Sequence, residues 1–407
     1  MGDEVVRIKN GISIQYALRD QHRGLGDIPV YRVSAQGTIR QLGVLIPVRP
    51  EGFVMLQSDG VARHSDSLPW WLDDMRPQGY LGRNYASRHA APLGLPPQLH
   101  EWDDTHALRA LLVHGHDAIG NLLLGDAARD AFIRSGPAEP IGQDAKGEAY
   151  IRLAEESARG EMPGSSAGGE QPKFVAYADT PEGPQHVIVK FTMADDNPVT
   201  ERWRDLLLAE HLALETLREF DIPAVCSRIM DFGTQRFLEV ERFDRVGALG
   251  RRALISMKAL DAEFVGVGAG WSVIAQALAK EGSISPEAAA GTSLLQAIGV
   301  LIGNTDMHTG NLSFVSEHGR PYQLAPAYDM LPMGFSPSTG GALPVELPEA
   351  PIHAYIEPEV WARATEVAQR YLDRLRNEPG LSQAFRPCVE ALERRIETAI
   401  GQIARLG

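Results

Sequence analysis

Ile302-Gly303-Asn304-Thr305-Asp306-Met307-His308-Thr309-Gly310-Asn311-Leu312-Ser313-Phe314 is the stretch whose reading decides the fold. Asp306 and Asn311 stand five residues apart, and a further carboxylate, Asp329, follows. In phosphoryl transfer one carboxylate takes the acceptor hydroxyl's proton, while a carboxamide and a second carboxylate hold magnesium. A D-x-x-x-x-N pair alone is common by chance, so the surroundings matter. Leu312-Ser313-Phe314-Val315 reads as a strand, His318-Gly319 as a turn and Tyr322-Gln323-Leu324 as the returning strand. That hairpin would carry Asp329 back beside Asn311. The competing reading, polar loop residues that merely cap helices, is weighed against what lies upstream.

Upstream lie the parts of a nucleotide lobe. Gly164-Ser165-Ser166-Ala167-Gly168-Gly169-Glu170-Gln171-Pro172-Lys173-Phe174 is a loop of small residues whose N–H groups can approach phosphate oxygens closely. Two strands follow, Lys173 to Ala178 and Gln185 to Phe191. The second contains Val187-Ile188-Val189-Lys190, an analogue of the kinase strand whose lysine contacts the α- and β-phosphates. Thr200 to Phe220 reads as a helix with Trp203, Leu206, Leu207, Leu214 and Leu217 on one face. Glu210 falls on that face, where a carboxylate is costly unless paired, and Lys190 is the expected partner. Phe237 to Asp244 reads as a strand leading into a polar segment, where a kinase hinge meets adenine. Beyond residue 246 helices dominate, at about 257–280, 285–303, 358–376 and 381–405.

The fold class is therefore α+β, with a β-rich nucleotide lobe at 136–245 and a mainly helical catalytic lobe at 246–407. A first, β-rich subdomain spans 21–135. Before it, Val5 to Lys9 and Ile12 to Leu18 form a hairpin around Asn10-Gly11. Such a hairpin cannot stand alone in water. It either docks on the next domain or is the wing of an incomplete winged-helix unit at 1–20. His106, His114 and His116 invite a metal reading, but no third ligand stands at a fixed offset, so turn chemistry is favoured.

Composition sets the outer bounds. Hydrophobic residues make up 44% of the chain, enough for two or three packed units. No signal-like or membrane-spanning apolar run is present, and the two cysteines, Cys226 and Cys388, lack metal-type spacing, so a cytoplasmic location is expected. A net charge of −14 argues against broad electrostatic binding to nucleic acid.

Taken together, these segments resemble the HipA family of serine/threonine kinase toxins. The likeness rests on Gly168 to Lys173, the strand ending at Lys190, Val240 to Arg245, Gly303 to Asn311 and Leu324 to Asp329. It covers nearly everything from about residue 25 onward. The hairpin followed by this subdomain is more similar to the branch called YjjJ or HipH, in which a winged helix-turn-helix precedes the kinase. The resemblance implies a protein-kinase-related fold with ATP and Mg2+ as cofactors. It implies Asp306 as catalytic base and Asn311 and Asp329 as magnesium ligands. ATP would be held by Lys190, Gly168, Gly169, His308 and the backbone from Glu241 to Phe243. It further implies that Ser165 or Ser166 is autophosphorylated, switching the enzyme off. A protein substrate, such as a translation factor, and an antitoxin or DNA are the implied partners. Two other readings stay open: a DNA-binding regulator with a nucleotide-sensing kinase-like domain, and a small-molecule kinase.

Overall fold

The computed structural model describes residues 4–10, 13–159, 171–317 and 319–405. The Gly-rich loop with Ser165, Ser166, Gly168 and Gly169, the Gly11 turn and His318 lie outside the described residues. The chain divides into two compact units, 1–139 with 244–255, and 140–243 with 256–407.

The first unit is built on strands β1 (Val5–Asn10), β2 (Ser13–Arg19), β3 (Ile28–Val33), β4 (Ile39–Arg49), β5 (Phe53–Gln57), β6 (Ala62–Ser65) and β7 (Leu122–Leu124). They form one sheet in the order β1-β2-β4-β3-β7, with β5 and β6 continuing from β4. Alternation sets its faces: Val6 and Ile8 are buried against Ile46, Val48, Val54 and Ala62. The N-terminal hairpin is thus docked, since Leu18 and Arg19 pair with Arg49 and Val48 of β4. Arg23 clasps the neighbouring turn, donating to the carbonyls of Val48 and Gly52 at 2.8 and 2.7 Å. Helices α1 (Gly79–His89), α2 (Asp104–His114) and α3 (Gly125–Ser135) complete the unit.

The histidines there serve local structure. His106 closes the capping box of α2, its Nδ1 accepting the Asp103 N–H at 3.2 Å while the Asp103 carboxylate accepts the His106 N–H. His114 meets the Tyr85 hydroxyl at 2.8 Å. Among the described residues, no three His, Cys, Asp or Glu side chains cluster to hold a metal ion.

Residues 244–255 return to this unit rather than opening the helical lobe as the reading at 246 expected. Side-chain chemistry holds them there. Asp244 accepts the Gly120 N–H at 3.1 Å, and Arg245 donates to Asp117 and to the carbonyls of Ala118 and Gly120. Leu249 packs against the cluster of Tyr31, Val33, Leu123 and Phe132.

The second unit begins with α4 (Lys146–Ala158) and an antiparallel sheet of β8 (Lys173–Thr180), β9 (Gly183–Phe191), β10 (Ser227–Phe232) and β11 (Gln235–Glu241) in the order β10-β11-β9-β8. Tyr150 and Ala154 of α4 pack with Phe174, Val187, Val189, Phe191 and Phe237 on one face of this sheet. The long helix α5 (Pro198–Glu219) starts from Asn197, whose side chain accepts the N–H groups of Val199 and Thr200, with proline in its first turn. Two helices sit at the expected places, Pro286–Ile302 and Pro358–Asn377, and Arg386–Ile403 begins five residues later than expected, after a short turn at Gln383–Phe385. The single helix expected at 257–280 is instead broken. Met257–Leu260 passes into a widened turn, Asp261–Val265, and a new helix starts at Trp271. The break follows from Gly266 and Gly268, both in the left-handed region, and from Asp261, whose carboxylate takes the N–H groups of Val267 and Gly268. No helix among the described residues is long and apolar enough to cross a membrane.

Candidate active site

Lys190 and Lys173 lie directly opposite each other on β9 and β8, so their side chains share a face of the sheet. The Lys190 ammonium reaches both carboxylate oxygens of Glu210 on α5, at 2.6 and 2.7 Å, and also the carboxylate of Asp329. The expected Lys190–Glu210 pair is formed. All three side chains are charged partners in a poorly solvated place, and each is tuned accordingly. Burial works against the Lys190 ammonium, but Asp329 and Glu210 outweigh it and hold the lysine above its ordinary range. Burial also pushes the Glu210 carboxyl up, Lys190 draws it down, and the like charge of Asp329 raises it, with a net upward shift. Asp329 goes the other way: burial raises it, but Lys190, followed by Lys173, keeps it below the usual carboxylate range. The sequence marks Lys173 only as the end of the Gly168-to-Lys173 segment and gives its side chain no role.

Asp329 is placed by the hairpin Ser313–Ser316 and Gln323–Leu324, with Phe314 opposite Leu324 and Val315 opposite Gln323. Its own backbone adopts φ +52, a left-handed conformation that a short polar side chain tolerates better than a branched one. Asn304 ties it to the loop, donating from Nδ2 to the Asp329 carbonyl at 3.2 Å. The same Asn304 accepts the Asp306 N–H at 3.0 Å, so one carboxamide fixes both carboxylate-bearing residues.

The loop itself follows helix Pro286–Ile302, which ends on Gly303 at φ +77. Asn311 folds back on Asp306, its Nδ2 donating to the Asp306 carbonyl at 2.9 Å and to the carboxylate at 3.3 Å. This turns the Asn311 carbonyl oxygen away from Asp306. His308 accepts the Gly310 N–H on Nδ1 at 3.0 Å, which leaves the proton on Nε2, and Nε2 stands 3.9 Å from Asp306 Oδ1. Trp271 holds the loop from beneath through the His308 carbonyl, 3.1 Å from Nε1. The Asp306 side chain is about half exposed, open to an incoming group.

At the hinge, Glu241 N–H donates to the Cys226 carbonyl at 3.0 Å and Arg242 N–H to the His186 carbonyl at 2.9 Å. Those two donors serve the sheet. Phe243 is the next residue, and its ring lies 5.8 Å from that of Tyr328. The Tyr328 hydroxyl meets Ser313 Oγ at 2.7 Å and donates to the Gly310 carbonyl at 3.2 Å.

The donor set fits a hard cation. Magnesium is commonly held by one or two protein carboxylates together with phosphate oxygens rather than by an all-protein cage. Here an ionised Asp329 and the side-chain oxygen of Asn311 could hold it, and Lys190 and Lys173 could meet phosphate oxygens.

Comparison with known proteins adds an independent line. Residues 25–133 match the family described as the YjjJ-like toxin, middle domain, and residues 165–399 match the HipA-like C-terminal domain. The chain belongs to the YjjJ-like branch of the HipA toxin family. It is 36% identical over 407 residues to Toxin YjjJ of Escherichia coli (strain K12), across 100% of this chain and 92% of that protein. Its fold is similar to a chain in the complex of the toxin–antitoxin system HipA and HipB with operator DNA from Shewanella oneidensis MR-1. The TM-score is 0.66 at 17% identity, over 93% of this chain and 99% of the other. As a YjjJ-like family member, the chain carries on its second unit the whole cluster of Lys190, Glu210, Asp306, Asn311 and Asp329.

Proposed function

We propose that this YjjJ-like toxin is an ATP-dependent serine/threonine protein kinase that inhibits growth by phosphorylating a protein target. The observation that carries the reading is the meeting of two separate constellations. Lys190 and Glu210 come from the sheet and α5, Asp306 and Asn311 from a loop far later in the chain, and Asp329 joins the first to the second. In this reading Asp306 accepts the proton of the acceptor hydroxyl, its carboxylate held by the Asn311 amide at 3.3 Å. Lys190 and Lys173 hold the ATP phosphates. Asn311 and Asp329 hold magnesium, which when bound would neutralise charge on the phosphates. With the N–H groups of Glu241 and Arg242 engaged, a backbone donor to adenine falls to Phe243. The phosphorylation of Ser165 or Ser166 is part of the same proposal: a phosphate there would repel the phosphates of ATP. An antitoxin and DNA are proposed partners, by analogy with the HipA and HipB assembly.

The test is intact-mass spectrometry after incubation with ATP and magnesium, with and without cell lysate. The wild-type chain should gain about 80 Da per phosphate, mapped to residues 163–173 and to a lysate protein. Asp306→Asn should fold normally and gain none, because an amide cannot take the acceptor proton. Equal labelling of wild type and Asp306→Asn would remove Asp306 from the chemistry.

A further inference from the structure

Helix α5 is buried over most of its circumference, with Arg204, His211, Glu215 and Arg218 along a more open strip. The sheet covers the side that carries Glu210, and Trp203, expected on the buried stripe, is only half-buried. Arg202 and Asp205, by contrast, are 3% and 2% exposed. Together with Ala209, they lie along a second stripe at helical spacing, and the exposed Glu219 ends the helix. Each member of that stripe is tied to the C-terminal part of the same unit. Arg202 donates from Nη1 to the carbonyls of Phe335 and Pro344, at 2.9 and 2.7 Å. The Asp205 carboxylate accepts both the N–H and the hydroxyl of Ser382, at 2.8 and 2.6 Å. Glu219 pairs with Arg370 and Arg374 at 3.0 and 2.6 Å. Tyr371, itself 1% exposed, donates its hydroxyl to the Ala209 carbonyl at 3.1 Å.

We propose that the C-terminal helices act as a clamp on α5, with Tyr371 and Ser382 as positioning residues that hold Glu210 against Lys190. A helix fixed only by its sheet can slide or turn about its axis, and Glu210 would leave Lys190 with it. The Ala209 carbonyl precedes Glu210 directly, so the Tyr371 hydroxyl fixes the helix at the very turn that bears the carboxylate. Burial keeps the Tyr371 hydroxyl protonated, and a neutral donor suits a backbone carbonyl. The two Ser382 donors satisfy a carboxylate whose burial would otherwise be costly. The clamp makes the Lys190–Glu210 pair a constitutive feature, so nucleotide-site assembly requires no separate event at α5. This inference deepens, and its activity arm rests on, the reading of Lys190 as a phosphate ligand.

The test measures Lys190 itself. Acylation of the folded chain by an amine-selective reagent, followed by peptide mass spectrometry, reports how firmly Lys190 is held. Tyr371→Phe and Ser382→Ala should each speed acylation of Lys190 by about five-fold, the equivalent of one net hydrogen bond. In a Glu210→Gln background neither change should add further, because both act through Glu210. Phosphoryl transfer should follow the same pattern, with the apparent KM for ATP rising. Unchanged Lys190 labelling in both variants, or additive effects in the Glu210→Gln background, would overturn the clamp. Faster labelling without any phosphoryl transfer by wild type would leave the clamp standing and overturn the kinase reading.

Discussion

Two carboxylates share the Lys190 ammonium, and the structure gives them opposite characters. Glu210 is shifted up, chiefly by burial, and Asp329 is shifted down because Lys190 and Lys173 outweigh its burial. On acidification Glu210 should therefore take up the first proton, at a pH above its ordinary 4.5, and Asp329 should stay ionised to below 3.8. Side-chain carboxyl NMR of the two residues checks this order, and Asp329 protonating first would show that the cluster is wired differently. On the alkaline side the sign is equally defined. The Lys190 value is raised in the folded state, so its contribution to stability is fully present below 10.5 and is lost as the pH rises through the higher folded value. Nucleotide binding should accordingly show no lysine-dependent step between pH 6 and 9.

At the scale of elements, the joint between helix Pro286–Ile302 and the loop bearing Asp306 and Asn311 is tightly constrained. Gly303 adopts φ +77, and a Cβ there would stand 2.7 Å from a methyl of Leu347. Gly303→Ala should destabilise the second unit by about 1 kcal/mol or more, from left-handed strain and the displaced leucine. It should also lower phosphoryl transfer, since Asn304 and Asp306 follow directly. Thermal unfolding with and without ATP tests this, and a variant as stable and active as wild type would refute it. This joint also marks how far the sequence could be read. Asp306, Asn311, Asp329 and Lys190 were legible because local spacing and strand pattern bear on them directly. The helix at 286–302 was legible because Ser285 caps it and glycine ends it. The break after Leu260 was not, because it depends on where the Asp261 carboxylate points. Neither were the roles of Lys173, Arg202 and Asp205, whose partners lie across the sheet or well over a hundred residues away along the chain. Nor was the engagement of the Glu241 and Arg242 N–H groups, whose acceptors Cys226 and His186 lie on other parts of the chain.

For the whole molecule the net charge of −14 matters more than any motif. The outer face of the docked hairpin presents Val5, Ile14, Tyr16 and Leu18 to solvent alongside Arg7. This chain by itself should therefore bind DNA weakly, with little sequence preference. Fluorescence anisotropy with operator-length duplexes at several salt concentrations is the measurement. Tight, sequence-specific binding by the chain alone would place a DNA-reading element within the residues described.

The return of residues 244–255 to the first unit means that the backbone crosses between the two units three times, near 139, 243 and 255. A fragment ending at Glu139 would be an incomplete object. It would lack the Asp244 carboxylate that receives Gly120, the Arg245 guanidinium that gathers Asp117 to Gly120, and the leucine that closes the Phe132 cluster. The ribosome delivers those pieces only after all of β8 to β11 has been made. The first unit to begin emerging is thus complete only at residue 255, with residues 140–243 of the second unit inserted into its sequence. Any attempt to dissect this toxin into separately expressed halves has to respect that order: a workable first half needs 244–255 grafted back by a linker, and a workable second half needs the same twelve residues excised and bridged.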